Sequence, residues 1–414
     1  MAWSPALMLR VSAAALALSC PAAAQVTWPM YQANASHDGY IPVSFDPTAF
    51  VPLWETRLSI DDLEVNPVAA ADGKVFASLR VYFHDGIDHF FALDASDGSV
   101  LWSESFGAVF SVNPPAYFEG KVYLQVGNHG SDTHLYEYDA ATGDRLNDGP
   151  FSAQWERYYA PTLYAGRIYI NGGYYGGMYA FDFSQFPAQQ WFVELNGFDQ
   201  WTPAVDGQYA YAYTGLYSPK LSIVDLDTGI ELWTIPDPNF VWNGWSMNLA
   251  PVLGGMDDVL AAQGGRLISF DLADHTIRYE IPDEFSGQVS VRQGVVYAIN
   301  SGNLEAREQL TGSFMWSWEV PAGWELVGSM ILTDAHAIVH ARQISVPNDE
   351  ATYAIDLESH QDVWSYPVGG QLAWSQGVLY IARAGGYLTA LSLWLPFADG
   401  FESGDASAWS LIVP

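Results

Sequence analysis

A hairpin motif repeated along the chain constrains the fold more than any other feature of the sequence. Its first copy, residues 90–102, reads FFALDASDGSVLW. Apolar strand residues flank an Asp-x-x-Asp-Gly turn, in which Asp accepts hydrogen bonds from nearby backbone N–H groups and Gly adopts a positive φ. The anchor position recurs about every 43 residues, a period typical of one four-stranded propeller blade. The anchors are Asp94, Asp139, Asp182, Asp225, Asp271, Glu308, Asp356 and Ser392.

A second hairpin keeps step with the first. A proline, a glycine turn and an alternating apolar strand run from Pro67 to Phe76, and the same pattern follows Pro115 and Pro161. Each repeat therefore contains two hairpins and four strands. A tryptophan or another aromatic residue often ends the last strand.

The eighth repeat is incomplete. It stops after three strands near Trp394, whereas a strand with its own tryptophan stands alone at residues 51–58. Pairing the two would leave no exposed edge at the seam. We therefore predict an all-β fold, an eight-bladed β-propeller of four-stranded antiparallel blades closed by the N-terminal strand, with seven blades as the alternative.

The repetition predicts structural roles for the residues of the motif, because a residue found in most blades builds the blade. Asp and Gly belong to the turn, and Trp packs between blades. The residues in this class are Asp94, Gly98, Trp102, Asp139, Gly143, Asp225, Gly229, Trp233, Asp356 and Trp364.

The two ends of the chain depart from the repeat. Arg10, an apolar run over residues 11–18 and an Ala-rich end predict a signal peptide at residues 1–24, too short to span a bilayer. The propeller is predicted for residues 25–394 and a C-terminal tail for 395–414. We expect an exported protein, periplasmic or extracellular, with no transmembrane segment in the mature chain. Lipid anchoring at Cys20, the single cysteine, is disfavoured by the sequence before it.

Charge limits the partners. The chain has 47 acidic residues against 15 basic ones, a net charge of −32. Nucleic acid and anionic membrane surfaces are excluded, because few cations are available to neutralise phosphates.

The ALDASDGSVLW run at 92–102, the proline–glycine strands and the opening segment at 28–40 resemble the pyrroloquinoline-quinone-like (PQQ-like) repeat family. The resemblance covers roughly residues 26–394 and implies the propeller fold. The family contains quinoprotein dehydrogenases, which bind the quinone and Ca²⁺ at the propeller axis. It also contains non-catalytic scaffolds, such as the lipoprotein of the outer-membrane β-barrel assembly machinery.

This chain departs from the dehydrogenases. In the alcohol dehydrogenases the resemblance implies a disulfide of adjacent cysteines beneath the quinone, and the mature chain has no cysteine. No Glu–Asn–Asp set matches the family's Ca²⁺ ligands and base. We therefore expect no catalytic residue and no cofactor, with the quinone and calcium only under the alternative function.

Polar loops on one face of the predicted propeller contain imidazoles and carboxylates, the ligands that Zn²⁺ and similar ions prefer. Ordinary exposed loops also have this composition, so the sequence leaves both interpretations open. The candidate metal ligands are His84, Asp88, His89, His129, Asp132 and His134.

The connections between blades are aromatic. Rings at a concave mouth stack on sugars or anchor peptides, and they also fill the space between blades. The candidate binding residues are Phe110, Trp155, Arg157, Tyr158, Trp201, Trp242, Trp245 and Trp324. The sequence thus favours a secreted or periplasmic, non-catalytic scaffold for an unknown protein or glycan, and the alternative is a PQQ-dependent dehydrogenase.

Overall fold

The computed structural model describes residues 26–393 except 129–131, 154–158, 196–200, 216–217, 242–249 and 347–348. The predicted signal peptide, Cys20 and the predicted tail lie outside the described residues. Within the described part the chain is all-β, as predicted, and its helices are two 3₁₀ turns, Pro47–Ala49 and Ala384–Gly386. Neither of these described helices has the length or apolar character needed to cross a membrane.

The described strands form seven sheets. Sheet 1 holds β2 (Glu64–Val65), β3 (Ala69–Ala71), β4 (Lys74–Arg80), β5 (Phe90–Asp94) and β6 (Val100–Glu104). Sheet 2 holds β7 (Ser111–Val112), β8 (Ala116–Phe118), β9 (Lys121–Asn128), β10 (Asp132–Asp139) and β11 (Arg145–Phe151). Sheet 3 holds β12 (Thr162–Tyr164), β13 (Arg167–Gly172), β14 (Gly177–Phe181) and β15 (Gln189–Glu194). Sheet 4 holds β16 (Ala204–Val205), β17 (Tyr209–Thr214), β18 (Lys220–Asp225) and β19 (Glu231–Pro236).

Sheet 5 has seven strands: β20 (Val252–Leu253), β21 (Asp258–Gln263), β22 (Gly265–Asp271), β23 (Thr276–Arg292), β24 (Val295–Asn300), β25 (Asn303–Glu308) and β26 (Phe314–Trp318). Sheet 6 holds β27 (Trp324–Leu332), β28 (His336–Gln343), β29 (Glu350–Asp356) and β30 (Asp362–Tyr366). Sheet 7 holds β31 (Gln371–Ser375), β32 (Val378–Ala382), β33 (Tyr387–Leu393) and β1 (Phe50–Arg57).

Neighbouring strands are antiparallel and follow one another along the chain, except that β1 pairs with β33, β2 with β4 and β7 with β9. β1 pairs with β33, from Phe50 opposite Leu393 to Arg57 opposite Tyr387. A series of strands also contact one another in the order β3, β8, β12, β16, β20, β23, β27 and β31, and β31 contacts β3. Because strand direction alternates, the loops between second and third strands and the connections between sheets emerge at one end, the loop face. The hairpin turns emerge at the other end, the turn face.

The predicted hairpin of the repeat is confirmed. β5 and β6 pair with Ala92 opposite Trp102, and a register shift follows at Leu93. In the turn, Asp94 Oδ1 accepts from the Ser96 N–H at 2.8 Å and the Asp94 carbonyl accepts from the Gly98 N–H at 2.9 Å. Hydrogen bonds from Thr142 and then Ala141 hold the pKa of Asp139, in the next copy, below its ordinary value. The acidic residue is therefore structural.

In several sheets a tryptophan packs on the turn of the next sheet. The Trp54 Nε1–H donates to the Ala95 carbonyl at 2.9 Å, and the Trp102 Nε1–H donates to the Ala140 carbonyl at 3.2 Å. The ring covers the turn glycine: a Cβ at Gly143, where φ is +77°, would lie 2.7 Å from Trp102. Trp102 and Gly143 thus have the structural roles that the repeat predicts.

Histidine replaces the turn glycine twice and keeps the contact. His275 and His360 occupy the glycine position with φ of 52° and 59°. Their rings stack on the tryptophan of the preceding sheet, Trp233 on His275 at 4.8 Å and Trp316 on His360 at 4.2 Å between centroids. The contact between the tryptophan ring and the next turn is therefore present even in the turns that have histidine in place of glycine.

Residues 26–43, the N-terminal strap, connect all seven sheets. The strap exchanges backbone hydrogen bonds with Ala70 of sheet 1, and its carbonyls accept from Tyr117 of sheet 2 and Val205 of sheet 4. Further bonds reach the following residues of sheets 5, 6 and 7: Leu253, Val291, Leu332 and Gln376. Trp28 and Ile41 of the strap share a buried cluster with Leu391 of β33. A single extended segment therefore fastens sheets that are distant in sequence.

His37 is the fully buried centre of the strap. Its Nδ1 lies 2.8 Å from the Tyr31 carbonyl oxygen, and its Nε2 lies 3.0 Å from Thr162 Oγ1 and 2.9 Å from the Pro203 carbonyl oxygen. These contacts tie the strap to sheet 3 and to the connection that follows it.

Replacing Gly143 with alanine tests the contact between sheets. Gly143→Ala is expected to lower the free energy of unfolding by at least about 2 kcal/mol, because its Cβ collides with the Trp102 ring. Gly120→Ala is the matched control, since φ there is +81° and nothing lies within 4 Å, so only the backbone cost of about 1 kcal/mol applies. Urea unfolding measures both, and equal losses would contradict the packing role.

Removing the His37 ring tests the strap. His37→Ala is expected to destabilise the fold by about 2 kcal/mol or more, since it deletes a fully buried ring and its hydrogen bonds. His84→Ala, which removes a partly exposed ring paired with Asp61, is expected to cost about 0.5 kcal/mol or less. Urea denaturation compares the two variants. A loss no larger at His37 than at His84 would mean that the strap contributes little to stability.

Candidate functional site

A pocket of about 440 Å³ opens on the loop face between sheets 6 and 7. Trp324 lines it from the start of β27, Tyr353 from β29, Tyr366 from the end of β30 and Arg383 from the residue that follows β32. Its other lining residues are Asp349, Glu350, Ala351, Ser365, Pro367, Val368 and Gly369. Trp324 was a predicted binding residue, and the structure places it in a cavity of the size that binds small groups. We call this cavity the aromatic pocket.

The basic group at the aromatic pocket has an acidic partner, whereas the acidic groups there have no lysine or arginine partner among the described residues. The Arg383 Nη1–H donates to Glu55 Oε2 at 2.7 Å, and the guanidinium lies 5.3 Å from the Tyr387 ring centroid. Glu350 Oε1 lies 3.4 Å from Nε2 of the buried His340. Across the described residues, neither Asp349 nor Glu350 forms an ion pair with lysine or arginine. The charge of the Arg383 guanidinium is therefore balanced by Glu55. Asp349 and Glu350 line the pocket without a lysine or arginine partner among the described residues.

A second group of rings stands on the loop face between sheets 1 and 2. Tyr82, Phe83 and Phe110 pack edge to face, with centroids 5.1 to 5.6 Å apart. Tyr82 is 62% exposed and Phe83 48% exposed. The Phe83 N–H donates to the Val109 carbonyl at 2.7 Å, which holds the two loops together. We call Tyr82, Phe83 and Phe110 the aromatic cluster.

Phe110 was predicted, whereas Tyr82 and Phe83 were missed. The available signal was an aromatic pair immediately after β4, at the start of a polar loop. Trp201 requires a correction: it was predicted to belong to the binding surface, but it is only 1% exposed and packs in a core cluster with Ala204 and Tyr213. The other predicted binding residues lie outside the described residues: Trp155, Arg157, Tyr158, Trp242 and Trp245.

Among the described residues, the predicted metal ligands do not converge on one site. His84 Nε2 lies 3.1 Å from Asp61 Oδ2, and Asp88 accepts a hydrogen bond from Ser103 at 2.6 Å. In sheet 2, the His134 ring lies 3.0 Å from Asp132 Oδ1 and 2.5 Å from Asp148 Oδ1. His129 lies outside the described residues. Within the ranges that the structure describes, no group of three or more His, Cys, Asp or Glu side chains could hold a metal ion.

The prediction of His89 as a metal ligand requires a correction. It is fully buried, its Nδ1 accepts from the Phe106 N–H at 3.0 Å, and its Nε2 donates to the His84 carbonyl at 2.9 Å. Both nitrogens are thus used in holding the two loops below the aromatic cluster, and neither faces a ligand. Burial lowers the pKa of His89, against the weaker opposing effects of the His84 carbonyl and of Asp88 and Asp85.

The turn face has a cleft of about 400 Å³ that the sequence did not reveal. Asp38, Asp206, Asp257, Asp258 and Arg292 line it. Burial raises the pKa of Asp38 and of Asp258. Asp38 and Asp258 are nevertheless hydrogen-bonded within the protein, Asp38 to Asn34 and Asp258 to Gln309. Their positions are explained by these structural contacts.

The pH dependence of stability tests the role of His89. Its lowered pKa means that the unfolded chain binds the proton more readily, so stability falls as pH drops below the unfolded value of 6.5. The slope is at most about 1.4 kcal/mol per pH unit for such a group. We expect His89→Gln to have a shallower loss of stability between pH 6.5 and about 5 in urea titrations. His37 and His336, whose pKa values burial also lowers, continue to contribute. An unchanged slope would contradict the structural role.

Comparison with known proteins places this geometry in a family. The family model described as "Outer membrane protein assembly factor BamB" matches residues 37–318 and 220–393. No curated protein matches the sequence.

Solved structures share the fold at low sequence identity. BamB from Moraxella catarrhalis is 14% identical with a TM-score of 0.58, over 83% of this chain and 99% of that one. A europium-containing methanol dehydrogenase is 11% identical with a TM-score of 0.66, over 89% of this chain and 98% of that one. The quinohemoprotein alcohol dehydrogenase from Comamonas testosteroni is 14% identical with a TM-score of 0.52, over 89% of this chain and 80% of that one. The repeat, the strand order and the family match agree, and this chain belongs to the PQQ-like propeller family that the BamB model describes.

Proposed function

We propose that this protein is a non-catalytic scaffold that binds a partner protein through its loop face. The observation that carries the proposal is the aromatic cluster: Tyr82 and Phe83 expose rings at a site held in shape by backbone bonds to the next sheet. Exposed rings on a rigid support are typical of protein-binding surfaces. The family match supports the same function, since its description names an assembly factor.

We also propose that the scaffold is an eight-bladed propeller closed by its N-terminal strand. Sheet 5 divides naturally at β23, whose 17 residues break register between Ser286 and Ser290. Its two halves then count as separate blades of four strands. The pairing of β1 with β33 and the contact of β31 with β3 support closure between the two ends of the chain.

An exported, periplasmic or secreted location is part of the proposal. It is supported by the predicted signal peptide and by the printed description of the family, which refers to the outer membrane. The charge of −32 is consistent with a protein that does not bind anionic membrane surfaces.

The dehydrogenase alternative rests on the two enzymes among the similar structures, which show the fold alone. The donor groups of this chain do not fit the quinone site that the family resemblance implies. The single cysteine is Cys20, so no pair of adjacent cysteines exists. Nor do the described carboxylates and imidazoles form a group that could hold a metal ion. This disagreement supports the scaffold proposal, and we derive no reaction step through a quinone.

Capture of envelope proteins tests the scaffold. The full chain is immobilised and the retained proteins are quantified by mass spectrometry. We expect Tyr82→Ala with Phe83→Asn to reduce retention of the specific partner at least about tenfold, since hot-spot rings dominate binding. Asparagine tolerates the positive φ of 48° at position 83, so the fold is kept.

Phe186→Ala is the matched control for that experiment, because Phe186 is 99% exposed but lies in the turn between β14 and β15, on the turn face. It is expected to retain the partner fully. Retention unaffected by the double variant, or no specific protein retained by the wild-type chain, would contradict the proposal.

A reconstitution assay tests the alternative. The protein is mixed with the quinone, Ca²⁺, a dye acceptor and alcohol or sugar substrates. We expect no dye reduction beyond that of the cofactor alone, because the chain lacks the adjacent cysteines and a matching metal-ligand set. Dye reduction that requires both protein and quinone would overturn the non-catalytic function.

A further inference from the structure

We propose that the aromatic pocket binds a lysine or arginine side chain of a partner protein. The inference rests on the proposed function, which it deepens by assigning a second contact and its chemistry. The aromatic pocket lies between sheets 6 and 7, and the aromatic cluster lies between sheets 1 and 2, so both belong to the loop face. A partner that covers the loop face would contact both.

Charge selects a cation. The carboxylates of Asp349 and Glu350 line the pocket, and the single guanidinium among its lining residues, Arg383, is hydrogen-bonded to Glu55 and to Thr389. The pocket together with this ion pair is therefore negative. A basic guest supplies the missing charge, whereas a phosphate or carboxylate guest meets two carboxylates.

Aromatic walls favour the same guest. Trp324, Tyr353 and Tyr366 line the pocket and are each partly buried. The face of an aromatic ring attracts ammonium and guanidinium groups, and the attraction grows as water is excluded. A volume of about 440 Å³ accommodates a long basic side chain together with its neighbouring backbone.

The wall behind the Glu350 carboxylate is closely packed. His340 is 6% exposed and its Nε2, which has no hydrogen-bond partner, lies 3.4 Å from Glu350 Oε1. Gly369 leaves room for this ring, because a Cβ there would lie 2.5 Å from His340 Cδ2. The His340 ring thus packs between Gly369 and the Glu350 carboxylate at the pocket wall. Preorganised charge of this kind lowers the cost of binding.

The whole chain reinforces the selection. With 47 acidic and 15 basic residues, its field attracts basic segments and repels acidic ones over the range of the Debye length. A neutral glycan would use the rings but would gain nothing from the charge. Comparison of charged and neutral ligands therefore separates the two classes.

The test is an NMR titration of the full chain with acetyl-Gly-Arg-Gly-amide and with its citrulline counterpart, which has the same shape without the charge. We expect the arginine peptide to bind at least about tenfold more tightly and to weaken as salt is raised. In Asp349→Asn with Glu350→Gln, that preference is expected to fall at least about tenfold. Trp324→Ala is expected to weaken the arginine peptide as well. Glu358→Gln is the matched control, an exposed carboxylate in the turn between β29 and β30, and should change nothing.

Equal affinity for the two peptides, or an arginine preference that the double variant retains while its thermal unfolding matches wild type, would overturn the inference. Saturable binding of a neutral oligosaccharide in its place would assign the pocket to glycans and would also overturn it. Envelope capture separates this failure from that of the scaffold. If Asp349→Asn with Glu350→Gln captures the same partner as well as wild type, only the pocket inference fails. If the wild-type chain captures nothing, the scaffold fails.

Discussion

Backbone hydrogen bonds between the N-terminal strap and the sheets are the interaction on which the rest of the structure depends. Hydrogen bonds within local hairpins form each of the seven sheets but do not join one sheet to another around a common element. The strap supplies it, because residues 26–43 contact every sheet, with His37 fully buried where the strap meets sheet 3. Gly39 shows how closely the strap is packed, since a Cβ there would lie 2.5 Å from Ser290 Oγ and 3.0 Å from the Met330 carbonyl oxygen. Tryptophan contacts such as Trp102 on Gly143 then hold several neighbouring sheets together.

The sequence allowed prediction of what is local and repeated. Asp94, Gly98 and Trp102 have the turn and packing roles that their recurrence indicated, because a hairpin depends on residues a few positions apart. The strap was not predicted as a connecting element, since its partners are up to about 350 residues away and leave no periodic trace. Among the described candidate site residues, Trp324 and Phe110 lie on the loop face, whereas Trp201 is core. Composition identifies a ring, but burial decides what the ring does.

The proposed function depends on the features that differ between sheets. The turn face is formed by the repeated Asp turns and by the strap, and there Asp38 and Asp258 are hydrogen-bonded within the protein. On the loop face the aromatic cluster exposes the rings of Tyr82 and Phe83, and the aromatic pocket presents carboxylates without lysine or arginine partners among the described residues. His89 shows the cost of inferring a site from residue type alone. Its loop resembles a metal site in composition, yet both of its nitrogens hold the loops that support the aromatic cluster.

Hydrogen–deuterium exchange on the complex with a captured partner tests the central claim most directly, because it shows which face is covered without altering any residue. The account predicts added protection in the loop-face segments 81–89, 105–110 and 349–353. It predicts unchanged exchange in the turn segments 95–98, 140–143 and 226–229. Protection of the turns, or of the outermost strands alone, would contradict a scaffold that binds through its loop face.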